Sequence, residues 1–111
     1  MNIKELCDNS FTTAKEKGWH DEDRGVPELL CLIHSEISEA LEEHRNGRQP
    51  SEVYYNSDKP GKPEGIPIEL ADAVIRIADF CGLHGINLAE AIKIKSDYNK
   101  TRAYRHGQKI C

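Results

Sequence analysis

Acidic side chains recur at a spacing of three in two separate segments of the chain, and this spacing carries the clearest chemical content. Glu36 and Glu39 form one pair, and Glu69 and Asp72 form the other. In a helix, residues i and i+3 project from the same face, so each pair presents two carboxylates side by side. If the two faces meet, they enclose a site made only of oxygen ligands. Without a paired His or Cys, such a site favours Mg²⁺, with Mn²⁺ as a possible substitute, over zinc.

The charged residues of the segment 66–83 all fall on one stripe of a predicted helix. At about 100° per residue they span an arc of about 80°, and apolar residues cover the rest of the surface. The members of this stripe are Glu69, Asp72, Arg76 and Asp79. One interpretation is that the stripe is the single solvent-facing strip of a helix that is otherwise buried nearly all round. The other is that the stripe lines a site.

Glu36 favours the second interpretation, because it lies among apolar residues rather than opposite them. On a helical wheel it falls between Leu29 and Leu32, next to Ala40. A buried carboxylate without a partner is costly, so this position requires a cation, an arginine or a hydrogen-bond donor. Arg76 can pair with one of the acids, but it cannot balance both pairs. The sequence therefore predicts a divalent cation between the two helices.

Helices are the elements expected to position these acids. Apolar spacing, glycines at the stops and prolines in the first turns predict helices over 3–17, 27–46, 67–81 and 88–100. The range 47–65 is rich in Pro, Gly, Ser and Asn and predicts a long irregular loop. No alternating strand pattern is found. An all-α, four-helix-bundle-like subunit is the predicted fold.

Length and composition predict one domain, spanning 1–111. The chain of 111 residues has no apolar run long enough to cross a membrane and no signal-peptide pattern at its N-terminus, so we expect a cytoplasmic protein without membrane association. A domain this small buries little of its surface, so its apolar helix faces predict a homodimer or homotetramer. Cys7, Cys31 and Cys81 lie in apolar helical patterns and are expected to be reduced core thiols.

The charge of the chain is unevenly distributed. Residues 93–111 hold 6 of the 15 basic side chains and 1 of the 19 acidic ones, which defines a basic C-terminal tail at about 101–111. Lys95, Asn99 and Arg102 share one face of the fourth helix and its immediate extension and are predicted to bind phosphate oxygens. A solvated basic helix end is the alternative. In the tail, Arg105, His106 and Lys109 are predicted to contact phosphates in the same or a neighbouring subunit.

Trp19, the single tryptophan, stands at the end of the first predicted helix. Its ring is suited to stacking on a nucleobase, and Trp19 is therefore predicted to bind substrate. Packing in the core is the alternative, because a large aromatic ring serves either purpose.

The two acidic pairs, about 30 positions apart, resemble the EExxE and ExxD signature of MazG-like nucleoside triphosphate pyrophosphohydrolases. The runs GIPIELADAVIRIADFCGLHGINL and KIKSDYNKTRAYRHGQK are also similar to stretches of that family, so the resemblance covers most of the chain. It implies an all-α homo-oligomer in which Glu36, Glu39, Glu69 and Asp72 bind the Mg²⁺ that coordinates a substrate triphosphate. The implied products are a nucleoside monophosphate and pyrophosphate. Cleansing of the nucleotide pool, phage or mobile-element metabolism and stress signalling stay open as the biological role. Ser35 replaces the first Glu of EExxE, which leaves the number of ions open.

Other functions fit parts of the same pattern. A phosphoribosyl-ATP pyrophosphatase or a dimeric dUTPase would share the acidic site and differ in the base pocket. A non-catalytic nucleic-acid-binding or regulatory helical module would use the basic tail with Tyr98 and Tyr104, although the acidic body of the chain disfavours nucleic acid. A third class is a metal-binding or oligomerisation protein in which the acids are structural.

Overall fold

The structure is a computed structural model that describes residues 1–102 of the chain. The predicted phosphate contacts of Arg105, His106 and Lys109 therefore lie outside the described residues. The elements in the described range are α1 (Ile3–Glu16), α2 (Val26–Arg45), β1 (Tyr54–Tyr55), β2 (Pro63–Glu64), α3 (Ile66–His84) and α4 (Leu88–Lys100). The mostly helical architecture confirms the predicted all-α class.

The long loop between α2 and α3 is more ordered than its composition predicts. β1 and β2 pair antiparallel, with Tyr54 opposite Glu64 and Tyr55 opposite Pro63. Strands of two residues are too short to show an alternating pattern, so they could not be predicted from the sequence. The Tyr54 hydroxyl donates to the Glu43 carboxylate of α2 at 2.8 Å and ties this hairpin to the helix.

The helix ends follow from local sequence. The side chains of Asn2 and Asn87 accept hydrogen bonds from backbone N–H groups in the first turns of α1 and α4, at 2.8 and 3.1 Å. α2 and α3 each carry a proline in the first turn. α3 continues to His84, three residues beyond the predicted end at Cys81, and stops at Gly85 in the left-handed region with φ +66°.

α3 lies in the middle of the subunit and packs against α1 on one side and α2 on the other, while α4 contacts α1. Gly82 permits the close approach of α1, because a Cβ atom there would lie 2.5 Å from the Phe11 Cβ and 2.9 Å from the Cys7 carbonyl oxygen. Cys7, Ala78 and Cys81 form the core at this crossing. The two buried cysteines agree with the predicted core thiols.

Two burial predictions are wrong for the single subunit. Cys31 is exposed on α2 and is not a core thiol. α3 is not buried all round, because Leu70, Val74 and Ile75 in its N-terminal half remain 45%, 49% and 48% exposed in the subunit. No helix in the range 1–102 is long and apolar enough to cross a membrane.

Candidate metal centre

The packing of α2 against α3 brings three carboxylates together. Glu36 of α2 and Glu69 and Asp72 of α3 each offer an oxygen, and these oxygens lie within 4.8 Å of one another. Glu36 is buried, as its position on the helical wheel predicts. Glu39 is exposed and stands outside this group of three, but it lies close enough to Glu69 to raise the pKa of that carboxyl. We call Glu36, Glu69 and Asp72 the acidic cluster.

Glu69 is the most perturbed acid of the cluster. Burial, followed by the hydrogen bond and charge of Glu39, raises the pKa of Glu69 to about 8. Its Oε2 atom is buried and has no hydrogen-bond partner among the described residues. Burial, followed by the charge of Glu36, also raises the pKa of Asp72. Both carboxylates are thus destabilised in their charged form, which a nearby cation would reverse.

Arg76 supplies part of the missing positive charge. Its Nε donates to the Glu36 Oε1 at 2.7 Å, in a pair whose Glu36 side chain is 8% exposed. One arginine does not balance the three acids of the cluster. Ser35, next to Glu36, donates its hydroxyl to the Leu32 carbonyl of its own helix at 2.6 Å. This hydroxyl therefore donates its hydrogen bond within α2 and not to the acidic cluster.

The backbone before α3 fixes the position of Glu69. Gly65 has φ +123°, and a side chain there would collide with the Glu52 carbonyl oxygen of the long loop. Its own carbonyl accepts a hydrogen bond from the Glu69 N–H at 3.1 Å, in the first turn of α3. Glycine at position 65 therefore lets the loop pass directly over the helix start while Glu69 points towards α2.

A cleft of about 580 Å³ lies between α1 and α3 and opens onto the acidic cluster. Glu36, Asp72 and Arg76 belong to its lining. The other lining residues include Asn9, Ser10 and Thr13 from α1, Trp19 from the following turn, and Ile75 and Asp79 from α3. The cleft thus joins an ionic end to a region of polar and apolar side chains that contains one further acid, Asp79, which is the composition of a small-molecule site.

Trp19 lines this cleft, but one face of its ring is already covered. The Arg24 guanidinium stacks 3.8 Å from the ring centroid and donates to the Trp19 carbonyl oxygen. Arg24 is held there by the Glu28 carboxylate at 3.1 Å. The Arg76 guanidinium lies 5.1 Å from the same ring centroid. A base that stacks on Trp19 must therefore displace or share the ring with an arginine, and the predicted role of Trp19 stays a prediction.

The predicted phosphate ligands of α4 are not brought to the acidic cluster within one subunit. Lys95 and Asn99 are exposed, and neither they nor Arg102 line the cleft. The cations of Lys95 and Arg102 lie 5.0 and 5.7 Å from the Tyr98 ring centroid. Within residues 1–102 none of the three forms an ion pair with an acid. Their role in phosphate binding stays a prediction.

One buried polar pair beside the cleft was missed by sequence reasoning. His20 Nε2 and Asp79 Oδ1 lie 2.7 Å apart, with 14% and 11% of their side chains exposed. The His20 ring also packs on Phe11, at 5.5 Å between centroids. The position of Asp79 on the charged stripe of α3 was the available signal. The partner, 59 residues away in sequence, becomes visible only in the fold.

Comparison of the chain with protein-family models, curated proteins and solved structures finds no match. The assignment of function therefore depends on the residues of the site.

Proposed function

We propose that this protein is a magnesium-dependent nucleoside triphosphate pyrophosphohydrolase of the MazG-like kind, which converts a nucleoside triphosphate to the monophosphate and pyrophosphate. The observation that carries the proposal is the acidic cluster at the end of a cleft large enough for a nucleotide. The resemblance of the two acidic pairs to the family signature supports the same reaction. Mn²⁺ is expected to substitute for Mg²⁺.

The residues present fit a divalent cation. The buried Glu69 Oε2 lacks a hydrogen-bond partner in the described range, and the donors of the cluster are all carboxylate oxygens, the ligands that Mg²⁺ prefers. Glu36, Glu69 and Asp72 would hold the ion, with Glu39 beside them. Bound there, Mg²⁺ supplies positive charge that neutralises and orients the phosphates of the substrate.

The residues of the chain then perform the remaining tasks. A water oxygen attacks a phosphorus atom of the triphosphate, the anhydride bond between the α- and β-phosphates breaks, and pyrophosphate leaves. Glu39 is our candidate for the acceptor of the proton of this water, because it is exposed and adjoins Glu69. Arg76 holds Glu36 in position and places a fixed positive charge in the lining of the cleft.

We further propose that the protein is a homo-oligomer, a dimer or tetramer of four-helix-bundle-like subunits of the all-α pyrophosphatase type. α2 carries an outward apolar stripe, which we call the α2 outer stripe, formed by Leu30, Ile37 and Leu41. Leu70 and Val74 add apolar surface on α3. A second copy that covers these side chains is also the expected source of the phosphate-binding groups of α4.

The test is release of pyrophosphate from a panel of ribo- and deoxynucleoside triphosphates, with Mg²⁺ or Mn²⁺, by the wild type and by Glu69→Gln. We expect release from at least one nucleotide and a loss of about 100-fold or more in the variant, because one ligand of the cation site is neutralised. Glu16→Gln, at an exposed position on α1, is the matched control and is expected to keep wild-type activity.

Two results would count against the proposal. Absence of release from every nucleotide at all metal concentrations would exclude the pyrophosphohydrolase. If the protein then bound single-stranded nucleic acid, and Lys95→Ala weakened that binding, the basic face of α4 would be a nucleic-acid site instead. Equal activity of wild type and Glu69→Gln would separate the reaction from the acidic cluster.

A further inference from the structure

Two polar side chains in the lining of the cleft have hydrogen-bonding capacity that the fold does not use. Asp79 is buried, and its Oδ1 atom is in hydrogen-bond contact with His20. Ser10 of α1 is 9% exposed. Within the described residues, neither the Asp79 Oδ2 atom nor the Ser10 hydroxyl has a hydrogen-bond partner, and neither atom is fully enclosed by protein. Buried polar groups are normally satisfied, so these two atoms are available to a ligand.

The position of Asp79 along α3 relates it to the acidic cluster. Asp72 and Asp79 lie on the same stripe and both line the cleft. Seven residues separate them, which corresponds to about 10 Å along the helix axis. A nucleotide whose phosphates lie at Asp72 therefore extends its base towards Asp79 and Ser10. This step rests on the proposed function, because it takes the phosphate end from the acidic cluster.

His20 fixes the direction of the Asp79 carboxylate. The 2.7 Å contact between His20 and Oδ1, together with the packing of His20 on Phe11, holds one oxygen away from the ligand. An ionised carboxylate only accepts hydrogen bonds. The single free oxygen therefore requires an N–H donor from the base. The Ser10 hydroxyl can donate or accept, so it adapts to either partner.

We propose that Asp79 is a specificity-determining residue that selects nucleotides whose base carries an exocyclic amino group. In cytosine and adenine, the amino group donates to Asp79 Oδ2, and the neighbouring ring nitrogen accepts from Ser10. In uracil and hypoxanthine, the ring nitrogen carries a hydrogen and donates to Ser10 instead, and a carbonyl oxygen replaces the amino group and faces the carboxylate, where two acceptors repel each other. The substrate class of this site is thus amino-bearing nucleoside triphosphates.

The experiment compares two pairs of substrates that differ only by this group: dCTP with dUTP, and dATP with dITP. For the wild type, kcat/KM is expected to be about 10–100-fold higher for the amino member of each pair, the range set by one hydrogen bond to a charged group. Asp79→Asn is expected to reduce both ratios about 10-fold, because an amide can also donate to a carbonyl oxygen. Ser10→Ala is the matched control. It should lower kcat/KM for both substrates of a pair equally and so leave the ratio of the two kcat/KM values unchanged.

Binding of the corresponding monophosphates, measured by titration calorimetry, supplies a readout that needs no turnover. dCMP and dAMP are expected to bind more tightly than dUMP and dIMP. If Asp79→Asn fails to fold, Asp79→Glu replaces it in the test. The extra methylene moves the free oxygen, so this variant must also change the kcat/KM ratios of the two substrate pairs.

The outcomes separate this inference from the proposed function. Pyrophosphate release that depends on Glu69, with equal kcat/KM within each pair, would overturn the role of Asp79 and keep the enzyme. A preference for amino bases that is unchanged in Asp79→Asn would assign the selection to another residue and also overturn the inference. Absence of both hydrolysis and monophosphate binding would overturn the two proposals together.

Discussion

The pairing of Arg76 with Glu36 sets the balance of charge at the acidic cluster in the absence of a cation. Removing the arginine leaves the buried Glu36 carboxylate without its partner, and such an uncompensated charge is costly. We expect Arg76→Met to lower the free energy of unfolding by about 1–3 kcal/mol, measured by urea denaturation without metal. The matched control is Arg45→Met, whose exposed pair with Glu42 at 3.9 Å is expected to contribute less than about 0.5 kcal/mol.

The double variant Glu36→Gln with Arg76→Met tests this explanation directly. It removes both charges, so it should be more stable than Arg76→Met alone. If Arg76→Met and Arg45→Met lower the free energy of unfolding equally, the ion pair between Arg76 and Glu36 does not stabilise the fold.

The raised pKa of Glu69 predicts how stability depends on pH. Its folded value of about 8 lies above the ordinary value of 4.5, so the folded protein retains a proton that the unfolded chain releases. The contribution of protonated Glu69 to the free energy of unfolding is therefore fully present below pH 4.5. It is lost as the pH rises to about 8. We expect the Tm of the metal-free protein to fall between pH 5.5 and pH 8, by about 4 °C or more, and to fall less in Glu69→Gln.

Magnesium should oppose this loss, because a cation stabilises the ionised carboxylate that burial disfavours. The Tm increase caused by Mg²⁺ is thus expected to be larger at pH 8 than at pH 5.5 and to disappear in Glu69→Gln. A Tm increase independent of both pH and Glu69 would place the ion elsewhere.

At the level of elements, the crossing of α1 and α3 depends on Gly82. Alanine in place of glycine gains about 1 kcal/mol of helix propensity. Its Cβ, however, would lie 2.5 Å from the Phe11 Cβ, and α1 must move. We expect Gly82→Ala to destabilise the protein by about 1–3 kcal/mol in chemical denaturation. Gly61→Ala is the control, since the structure as described leaves open space there; a stabilised Gly82→Ala would show that the two helices adjust freely.

The sequence predicted the elements better than their arrangement. The four helices follow from apolar spacing, Asn and Pro at the starts and Gly at the stops, which are local signals. α3 was predicted too short because Gly82 was interpreted as part of the turn, although it is a packing glycine within the helix. The burial of Glu36 was also predictable, since its apolar neighbours on the wheel reveal it.

The remaining features of the site are tertiary and have no local signature. The His20–Asp79 pair, the Arg24 guanidinium over Trp19 and the separation of α4 from the acidic cluster each depend on how distant segments pack. The hydroxyl of Ser35 illustrates the same limit. Ser35 stands where the resemblance expects an acid, but only the fold shows that its hydroxyl donates to the Leu32 carbonyl of the same helix.

At the scale of the whole molecule, the single subunit leaves much apolar surface uncovered. Its radius of gyration is 16.7 Å, whereas a compact domain of about 100 residues has about 13 Å. The α2 outer stripe of Leu30, Ile37 and Leu41 is 44–56% exposed. Surfaces of this kind are typical of subunits that associate.

We therefore expect sedimentation velocity to give a mass of two or four times 12.6 kDa for the wild type. Charges introduced by Leu30→Glu together with Leu41→Glu should raise the dissociation constant about 10-fold or more, because buried charges oppose association. Thr12→Glu, at an exposed position on α1, is the control and should leave the mass unchanged. A wild-type monomer at every concentration would contradict the oligomer.

The thin core of the subunit has a calorimetric consequence. Within residues 1–102 none of the large side chains is completely buried, and the core at the α1–α3 crossing consists of small residues. The heat capacity increment of unfolding arises mainly from the apolar surface that becomes hydrated, about 12–15 cal/mol/K per residue in ordinary domains. An isolated subunit should fall well below that range. Part of the increment would then accompany dissociation, and the transition temperature would rise with protein concentration.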